Sequence, residues 1–550
     1  MQLIFGLLTA FLAATTAVAR KNSGKTPASN DTSLNRPLIH FTPEKGWMND
    51  PNGLFYDNVT DLWHMYYQFN PNDTVWGQPL YWGHATSKNL TTWTHENIAI
   101  GPDSDDAGVF SGSIVIDYNN TSNFFNSSIN PGQRVVAFYT YNTAESQTQY
   151  VAYSLDGGYT FTKYSGNPVL NLNSTQFRDP KVFWHDETEK WIMVLALSQE
   201  YKVQIYSSEN LKEWELQSNF SHHGILGYQY ECPGLSKIPI VKSSDSSLNS
   251  SNSTSPDYKW VMFLSINPGA PQGGSFTQYF IGDFDGKNFT ADDHQTRFLD
   301  FGKDYYAFQA FDNTPNNDVL GVAWASNWEY GGFVPTSPWR SSMSLIRNFT
   351  LQEYHPNGEA TELNLFSQPV IDHDVLNANH TIHKGNLTIG SGKNVTFDFH
   401  NSATGLVELN VTFKVNTSSI RPHDFVDLSF YLRGASDPHE YLRLGYENTA
   451  PAFFLDRGNS KVNFVSSNPF YTDKTSVNFL PYSTELNTYK IYAIADRNIL
   501  EVYLNDGLAV STNTFFFTEG NHIGSIDVIA GIDGVYELVD FEVKQLSVKQ

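Results

Sequence analysis

Hydrophobic and polar positions alternate along this chain in short runs, which is the periodicity of half-buried β-strands. Clear examples cover residues 62–69, 135–141, 181–184 and 191–197. Loops rich in Gly, Asn, Asp and Pro separate these runs, and long helical periodicity is hard to find. The pattern predicts an all-β protein.

A degenerate repeat runs through the first two thirds of the chain. Residues 87–93 are similar in sequence to residues 208–214. Segment 154–161, which lies between these two, and segment 283–289, which follows them, occupy similar positions in the repeat. Each of these four segments fits the outer hairpin of a four-stranded blade. Together with a fifth unit over residues 304–366, the four units would make a five-bladed propeller. Unrelated hairpins with the same turn chemistry explain these similarities equally well, so the repeat alone leaves both interpretations open.

The alternating runs become longer from about residue 385. They cover 406–415, 427–433, 441–446, 453–456 and 489–494, and 500–504 leads into an Asn-Asp-Gly turn. This pattern is typical of a β-sandwich, which we predict over residues 385–550, with 367–384 as the linker. At 550 residues and 40% hydrophobic content, the chain is long enough for two domains.

The first residues indicate export from the cell. An apolar run over residues 3–18 ends in Ala17-Val18-Ala19, so we predict a signal peptide over 1–19, followed by a flexible segment over 20–37. The expected location is extracellular, in the cell wall or in the periplasmic space. Many Asn-x-Ser/Thr sequons predict N-linked glycans. They include Asn58, Asn72, Asn89, Asn120, Asn173, Asn219, Asn288, Asn348, Asn379, Asn394, Asn410 and Asn416.

Charge and cysteine content narrow the possible partners. The formal net charge of −23 argues against nucleic acids and anionic membranes. Cys232 is the single cysteine, which excludes an intramolecular disulfide; it is either a small packing residue or a thiol that tunes a neighbouring acid. No His or Cys cluster has the spacing of metal ligands, so we expect neither a metal nor a cofactor.

Three carboxylates carry the candidate chemistry. Asp50 precedes Pro51 and an Asn-Gly turn, which places it where a strand begins or ends. Asp179 and Glu231 also lie near a proline, beside aromatic or polar neighbours. Any one of them alone fits an Asx turn, a surface carboxylate or, for Asp179, an ion pair with Arg178. As a set they indicate glycoside hydrolysis, which uses paired carboxylates.

The three acids belong to a series of short motifs that follow one another along the chain. They are WMNDPNG at 47–53, YQFNP at 67–71, WG at 76–77, WGHA at 82–85, FSGS at 110–113, RDP at 178–180 and ECPG at 231–234. On these motifs the sequence resembles the invertase and fructanase glycosidases, glycoside hydrolase family 32, from about residue 38 to the C-terminus. The resemblance implies a five-bladed β-propeller over 38–366, followed by the C-terminal β-sandwich. Segments 231–234, 304–307 and 338–343 are most similar to those of secreted yeast members.

The same resemblance implies a retaining beta-fructofuranosidase that cleaves sucrose through a covalent fructosyl-enzyme, with fructosyl transfer as a side activity. Asp50 is then the nucleophile, Glu231 the acid/base, and Asp179 the stabiliser of the transition state, held in place by Arg178. We further expect Asn49 and Asn52 to donate hydrogen bonds that keep Asp50 ionised. The residues expected to line the fructose pocket are Asn49, Gln68, Trp76, Ser111 and Arg178, whereas Trp47, Trp82 and Trp328 fit the core equally well.

Several alternatives remain open. An exo-inulinase or levanase would use the same acids on terminal fructose of fructans. A catalytically inactive carbohydrate-binding propeller would lack at least one acid, and all are present. A sialidase, suggested by the Asp-box-like residues 154–161, would need an arginine cluster where the motifs offer only Arg178 and Arg340. The resemblance also implies a homo-oligomer, a dimer, as the assembly.

Overall fold

The computed structural model describes residues 33–241, 257–390, 394–416, 426–448, 451–478, 488–532 and 534–549. The predicted signal peptide and most of the predicted flexible segment lie outside this part. Strands dominate the described residues, and α-helix there is confined to Asn463–Ser467, so the all-β prediction is confirmed. Short 3-10 helices lie at Ser33–Asn35, Pro131–Gln133, Ser198–Glu200, Pro315–Asn317, Gly331–Phe333, His373–Val375 and His400–Ser402.

Twenty-two strands in the first part of the chain form five sheets of four or five strands. Consecutive strands pair antiparallel, as short hairpin loops require, except that β20 joins β1 in parallel. The strands are β1 Gly46–Asp57, β2 Leu62–Asn70, β3 Tyr81–Ser87, β4 Thr94–Ile100, β5 Gly108–Ile116, β6 Val135–Asn142, β7 Gln147–Ser154, β8 Thr162–Lys163, β9 Phe177–His185, β10 Lys190–Leu197, β11 Lys202–Ser208, β12 Glu215–Ser221, β13 Tyr230–Pro239, β14 Tyr258–Ile266, β15 Phe276–Phe284, β16 Phe289–Ala291, β17 Arg297–Phe298, β18 Tyr306–Ala310, β19 Val319–Trp324, β20 Trp339–Arg340, β21 Arg347–Tyr354 and β22 Glu362–Pro369.

The first strand of each sheet faces its counterparts in the neighbouring sheets. Strand β1 lies against β5, β5 against β9, β9 against β13, β13 against β18, and β18 returns to β1. These five innermost strands are largely buried; in β1 all residues except Tyr56 are buried. They bring the starts of β1, β9 and β13, which carry the three predicted acids, to one place.

Twelve strands in the second part form two six-stranded sheets, ordered β23-β34-β25-β30-β31-β32 and β24-β33-β26-β27-β28-β29. Val411 and Phe541 from one sheet and Phe430 and Val528 from the other belong to one buried apolar core. The strands are β23 Leu376–Thr388, β24 Val395–Asp398, β25 Leu406–Val415, β26 Asp427–Gly434, β27 Tyr441–Glu447, β28 Ala452–Asn459, β29 Lys474–Val477, β30 Thr488–Asp496, β31 Ile499–Leu504, β32 Ala509–Thr514, β33 Ile523–Ala530 and β34 Tyr536–Val548.

Buried ion pairs connect the two parts. Arg347 of β21 donates from Nη1 to Asp300 Oδ2 at 2.9 Å and from Nη2 to Glu501 Oε2 of β31 at 2.8 Å. Arg457 of β28 donates to Asp304 Oδ2 at 2.6 Å. All five side chains are almost fully shielded from solvent. Because each charge is paired and hydrogen-bonded, the interface can hold ions that would be costly to bury alone.

His40 extends this interface and makes stability depend on pH. Its Nδ1 lies 3.0 Å from Asp496 Oδ2 and its Nε2 lies 3.4 Å from Glu501 Oε1. Burial disfavours the imidazolium, but the two carboxylates outweigh burial and raise the pKa of His40 to about 9. Because this pKa is higher folded than unfolded, the stabilisation is complete below the unfolded value and is lost as pH rises through about 9.

We therefore compare the unchanged chain with His40→Gln from mildly acidic to strongly alkaline pH. Over this range the free energy of unfolding of the unchanged chain is expected to fall by about 3 kcal/mol more than that of the variant. Urea-unfolding midpoints of both proteins across this pH range measure the difference. Parallel pH profiles would contradict the contribution assigned to His40.

Candidate active site

The three predicted carboxylates lie together because each innermost strand is irregular where its acid stands. The pairing register of β1 shifts between Met48 and Pro51, and the register of β13 shifts between Glu231 and Gly234. The register of β9 shifts between Arg178 and Lys181, where β9 pairs with Ala196 and Val194 of β10. Bulges of this kind redirect a side chain and interrupt strand pairing. A proline follows each acid within two residues and cannot donate to a neighbouring strand, which favours such an interruption.

Asp50 is buried and accepts two side-chain hydrogen bonds. Asn49 Nδ2 donates to its Oδ1 at 3.0 Å, and Ser111 Oγ donates to its Oδ2 at 2.7 Å. Burial raises the pKa of Asp50 above its ordinary value, although both hydrogen bonds act in the opposite direction. The expected bond from Asn52 is wrong: Asn52 Oδ1 accepts from Gly112 N at 3.2 Å, and its Nδ2 has no partner.

Cys232 lies between two of the acids. Its Sγ is 3.5 Å from Asp50 Oδ2 and 3.6 Å from Asp179 Oδ2, and its backbone N–H donates to Asp179 Oδ2 at 2.9 Å. Burial raises the pKa of the thiol well above its ordinary value, so the sulfur is a weak neutral donor. Cys232 is therefore both a buried residue and a direct contact of two carboxylates.

Glu231 is the most exposed of the three acids, and several donors hold it. Arg178 donates from Nη2 and Nε to Glu231 Oε1 at 3.0 and 3.2 Å, and Gln229 Nε2 donates to the same oxygen at 3.2 Å. The Tyr306 hydroxyl donates to Oε2. Arg178 therefore forms an ion pair with Glu231, and its positive charge also acts on Asp179 by lowering the pKa of that acid. That Arg178 holds Asp179 in place stays a prediction.

Asp179 is buried among charges of both signs. Burial raises its pKa to about 7, the positive charge of Arg178 opposes this, and the negative charges of Glu231 and Asp50 add to it. At neutral pH Asp179 therefore holds a proton part of the time, which limits the negative charge gathered at this point.

The remaining predicted pocket residues border this cluster. Gln68 is buried and donates from Nε2 to Val109 O at 3.0 Å. Trp76 is 44% exposed, and its ring lies 6.3 Å from that of Phe110. Both side chains thus contact the segment that leads to Ser111, whereas Asn49 and Ser111 contact Asp50 itself.

A buried aromatic wall completes the site. Trp47 donates from Nε1 to Asn49 Oδ1 at 2.8 Å, and its ring packs against Trp324 and the partly exposed Trp328. Trp82 instead lies in the core beneath β1. Trp324, Tyr306 and Gln229 were not predicted as site residues. For Tyr306, the motif at 304–307 could have indicated the role.

Two further properties concern only the part of the chain that the structure describes. There, no group of three or more His, Cys, Asp or Glu side chains is arranged to hold a metal ion. No helix in the same ranges is both long and apolar enough to cross a membrane.

An all-β fold that gathers three carboxylates beside an aromatic wall is typical of a glycosidase that works with paired acids. The chain belongs to glycosyl hydrolase family 32. The family's N-terminal domain matches residues 40–368, and its C-terminal domain matches residues 373–545. The family predicted from the motifs is confirmed.

Named relatives agree with this assignment. The chain is 53% identical to "Invertase 2" of Saccharomyces cerevisiae, covering 98% of this chain and 100% of the relative. It is 50% identical to "Extracellular exo-inulinase" of Meyerozyma guilliermondii, covering 94% and 96%. The solved beta-fructofuranosidase of Schwanniomyces occidentalis, complexed with fructosyl-erythritol, has a TM-score of 0.87 at 49% identity over 95% of this chain and 100% of that one.

Proposed function

We propose that this chain is a retaining beta-fructofuranosidase that hydrolyses sucrose to glucose and fructose. The observation that carries the proposal is the contact of Cys232 with both Asp50 and Asp179, one residue from Glu231, which places three acids around one point. The two yeast relatives, an invertase and an exo-inulinase, both release fructose units, in keeping with their names.

In the first step, Glu231 gives its proton to the glycosidic oxygen while a carboxylate oxygen of Asp50 attacks the anomeric C2. The C2–oxygen bond breaks, glucose leaves, and a fructosyl ester forms on Asp50. In the second step, Glu231 takes a proton from water, whose oxygen attacks C2 and releases fructose from Asp50. A sugar hydroxyl in place of water gives fructosyl transfer.

The other residues hold the substrate and these acids. Asp179 accepts hydrogen bonds from fructose hydroxyls, which strengthen as positive charge develops on the ring in the transition state. Arg178 and Tyr306 orient Glu231, as their hydrogen bonds indicate. The fructose pocket consists of Asn49, Gln68, Trp76, Ser111 and Arg178.

A second candidate function is exo-hydrolysis of inulin or levan, favoured by the 50% identity to an exo-inulinase. Initial rates of fructose release from sucrose, inulin and levan test both functions, with Asp50→Asn as the blank. A strong preference for sucrose supports the first function, and comparable polymer rates support the second. Release from none of them contradicts both.

We infer that the five sheets are the blades of a five-bladed β-propeller over residues 38–366. The closed sequence of contacts between β1, β5, β9, β13 and β18 supports this. The shared core of the two six-stranded sheets supports a β-sandwich over 385–550, with 367–384 as the linker. Removal of residues 1–19, secretion and N-linked glycans belong to the same proposal. The relative named extracellular and the sequons on exposed Asn58 and Asn410 support them. A homodimer is also proposed, on the family resemblance alone.

Ser111→Ala tests how Asp50 is kept ionised. Loss of the 2.7 Å hydrogen bond to Oδ2 leaves burial less opposed, so the pKa of Asp50 rises further. Because attack requires the carboxylate, we expect the acidic limb of the kcat/KM profile on sucrose to move up by about one pH unit. Ser111→Thr retains the hydroxyl and is expected to keep the original profile. An unshifted limb in Ser111→Ala would contradict this role.

A further inference from the structure

A cavity lies at the ends of the innermost strands that are opposite to the ends carrying the three acids. Its volume is about 420 Å³. Strands β9 and β13 carry Asp179 and Glu231 near their first residues, and line this cavity with Phe183 and Lys237 towards their last. At about 3.3 Å per residue, Phe183 is about 13 Å along β9 from Asp179. None of the three acids and none of the predicted fructose-pocket residues lines the cavity, although its residue Lys181 follows Asp179 by two positions, so we treat the cavity as distinct from the candidate active site.

The floor of the cavity is polar and buried. Lys181 is 6% exposed, and its Nζ donates to Ala310 O at 2.6 Å. Burial lowers the pKa of Lys181 to about 8, which the charge of Asp312 opposes, and burial raises the pKa of Asp312 to about 6. An ammonium has three N–H donors, and Asp312 adds an acceptor, so this floor can both donate to and accept from hydroxyl groups.

Aromatic rings form the wall above that floor. Trp184, Trp260 and Tyr258 line the cavity, and each is at least partly exposed to solvent. Tyr258 is 41% exposed and stacks beneath Lys237 Nζ, which lies 5.6 Å from the ring centroid. The rim residue Asp318 is also exposed, so the acids Asp312 and Asp318 disfavour an anionic ligand. Aromatic faces combined with a few convergent polar groups are typical of small-molecule sites.

We propose that this cavity binds a neutral saccharide. The apolar faces of the sugar stack on the rings of Trp184, Tyr258 and Trp260, and its hydroxyls contact Lys181 and Asp312. One source is a free sugar in the medium. The other is a glycan on this chain, because the sequon residue Asn58 is connected to the cavity lining through one side chain. Asn58 Nδ2 donates to the Tyr118 hydroxyl at 3.0 Å, and that hydroxyl donates at 2.8 Å to Oδ1 of Asn313, which lines the cavity.

Titration calorimetry on the full chain made without glycans tests the proposal. Asp50→Asn blocks turnover, and sucrose and N,N′-diacetylchitobiose serve as probes. We expect at least one probe to bind in the cavity with a millimolar Kd. The double variant Tyr258→Ala with Asp318→Ala is expected to raise that Kd by about 5-fold or more. Tyr258→Phe keeps the ring and is expected to retain binding. Both positions are exposed, so the variants are expected to fold.

The same variants with Asp50 intact separate this site from the proposed catalytic one. Sucrose hydrolysis is expected to stay within about twofold of the unchanged protein in Tyr258→Ala with Asp318→Ala. Equal calorimetric affinities in all variants, or no binding of either probe outside the active site, would overturn the saccharide site whatever the hydrolysis rates.

The glycosylated protein distinguishes the two sources. If the Asn58 glycan fills the cavity, the glycosylated chain does not bind the free probe there and Asn58→Gln restores binding. If free sugar is the ligand, the glycosylated chain and Asn58→Gln bind the probe equally. Either result supports a saccharide site and names its occupant.

Discussion

Asp50→Asn is expected to lower sucrose turnover by about 10³-fold or more, with the fold retained. The amide has the shape of the carboxylate but cannot attack C2, so the fructosyl ester cannot form. The hydrogen bond from Ser111 Oγ can persist to the amide oxygen, which limits structural change. Fructose release under saturating sucrose measures the effect, and thermal unfolding checks that the variant is folded.

A matched substitution in the same strand provides the control. Asp57→Asn makes the same chemical change in β1, at a buried residue whose carboxylate accepts from Val59 N and Thr60 Oγ1 in the adjoining turn. This variant is expected to lose stability but to keep turnover within about twofold when folded. Asp50→Asn with more than about a tenth of normal turnover would remove Asp50 from the role of nucleophile.

The location of the acids was predictable from sequence because it depends on local chemistry. A proline within two residues of Asp50, Asp179 and Glu231 marks the points where strand pairing is interrupted, and such an interruption redirects the side chain at that point. The strands themselves followed from alternation; the predicted run 406–415 is β25. Which sheets lie against each other depends on contacts between strands far apart in sequence, which alternation does not encode.

The partners of the acids were harder to predict because they depend on the local irregularity of each strand. Arg178 adjoins Asp179 in sequence, yet its guanidinium pairs with Glu231 of the next innermost strand, at the point where the register of β9 is irregular. The irregular register of β1 after Pro51 likewise directs Asn52 away from Asp50. Such contacts follow from the bulges, and a bulge can be anticipated from sequence more readily than its geometry.

Buried charges at the interface of the two parts were also beyond sequence analysis. Arg347 pairs with Glu501, 154 residues later, and nothing near either residue indicates the other. Arg347 also stacks over the ring of Tyr305 at 4.2 Å. It therefore combines two carboxylates and an aromatic face in a site closed to water.

Arg347→Ala is expected to destabilise the chain by about 3 to 5 kcal/mol, because it leaves Asp300 and Glu501 buried without their cation. The control is Lys490→Ala, which breaks a solvent-exposed pair with Asp506 and should cost about 0 to 1 kcal/mol. Urea unfolding at neutral pH compares the two free energies. The expected cause is the loss of a charge partner and not of volume, so Arg347→Lys should recover part of the loss. One ammonium cannot replace all the hydrogen bonds that Nε, Nη1 and Nη2 of Arg347 donate to Glu501 and Asp300. Equal losses in Arg347→Ala and Lys490→Ala would show that the buried pairs do not hold the two parts together.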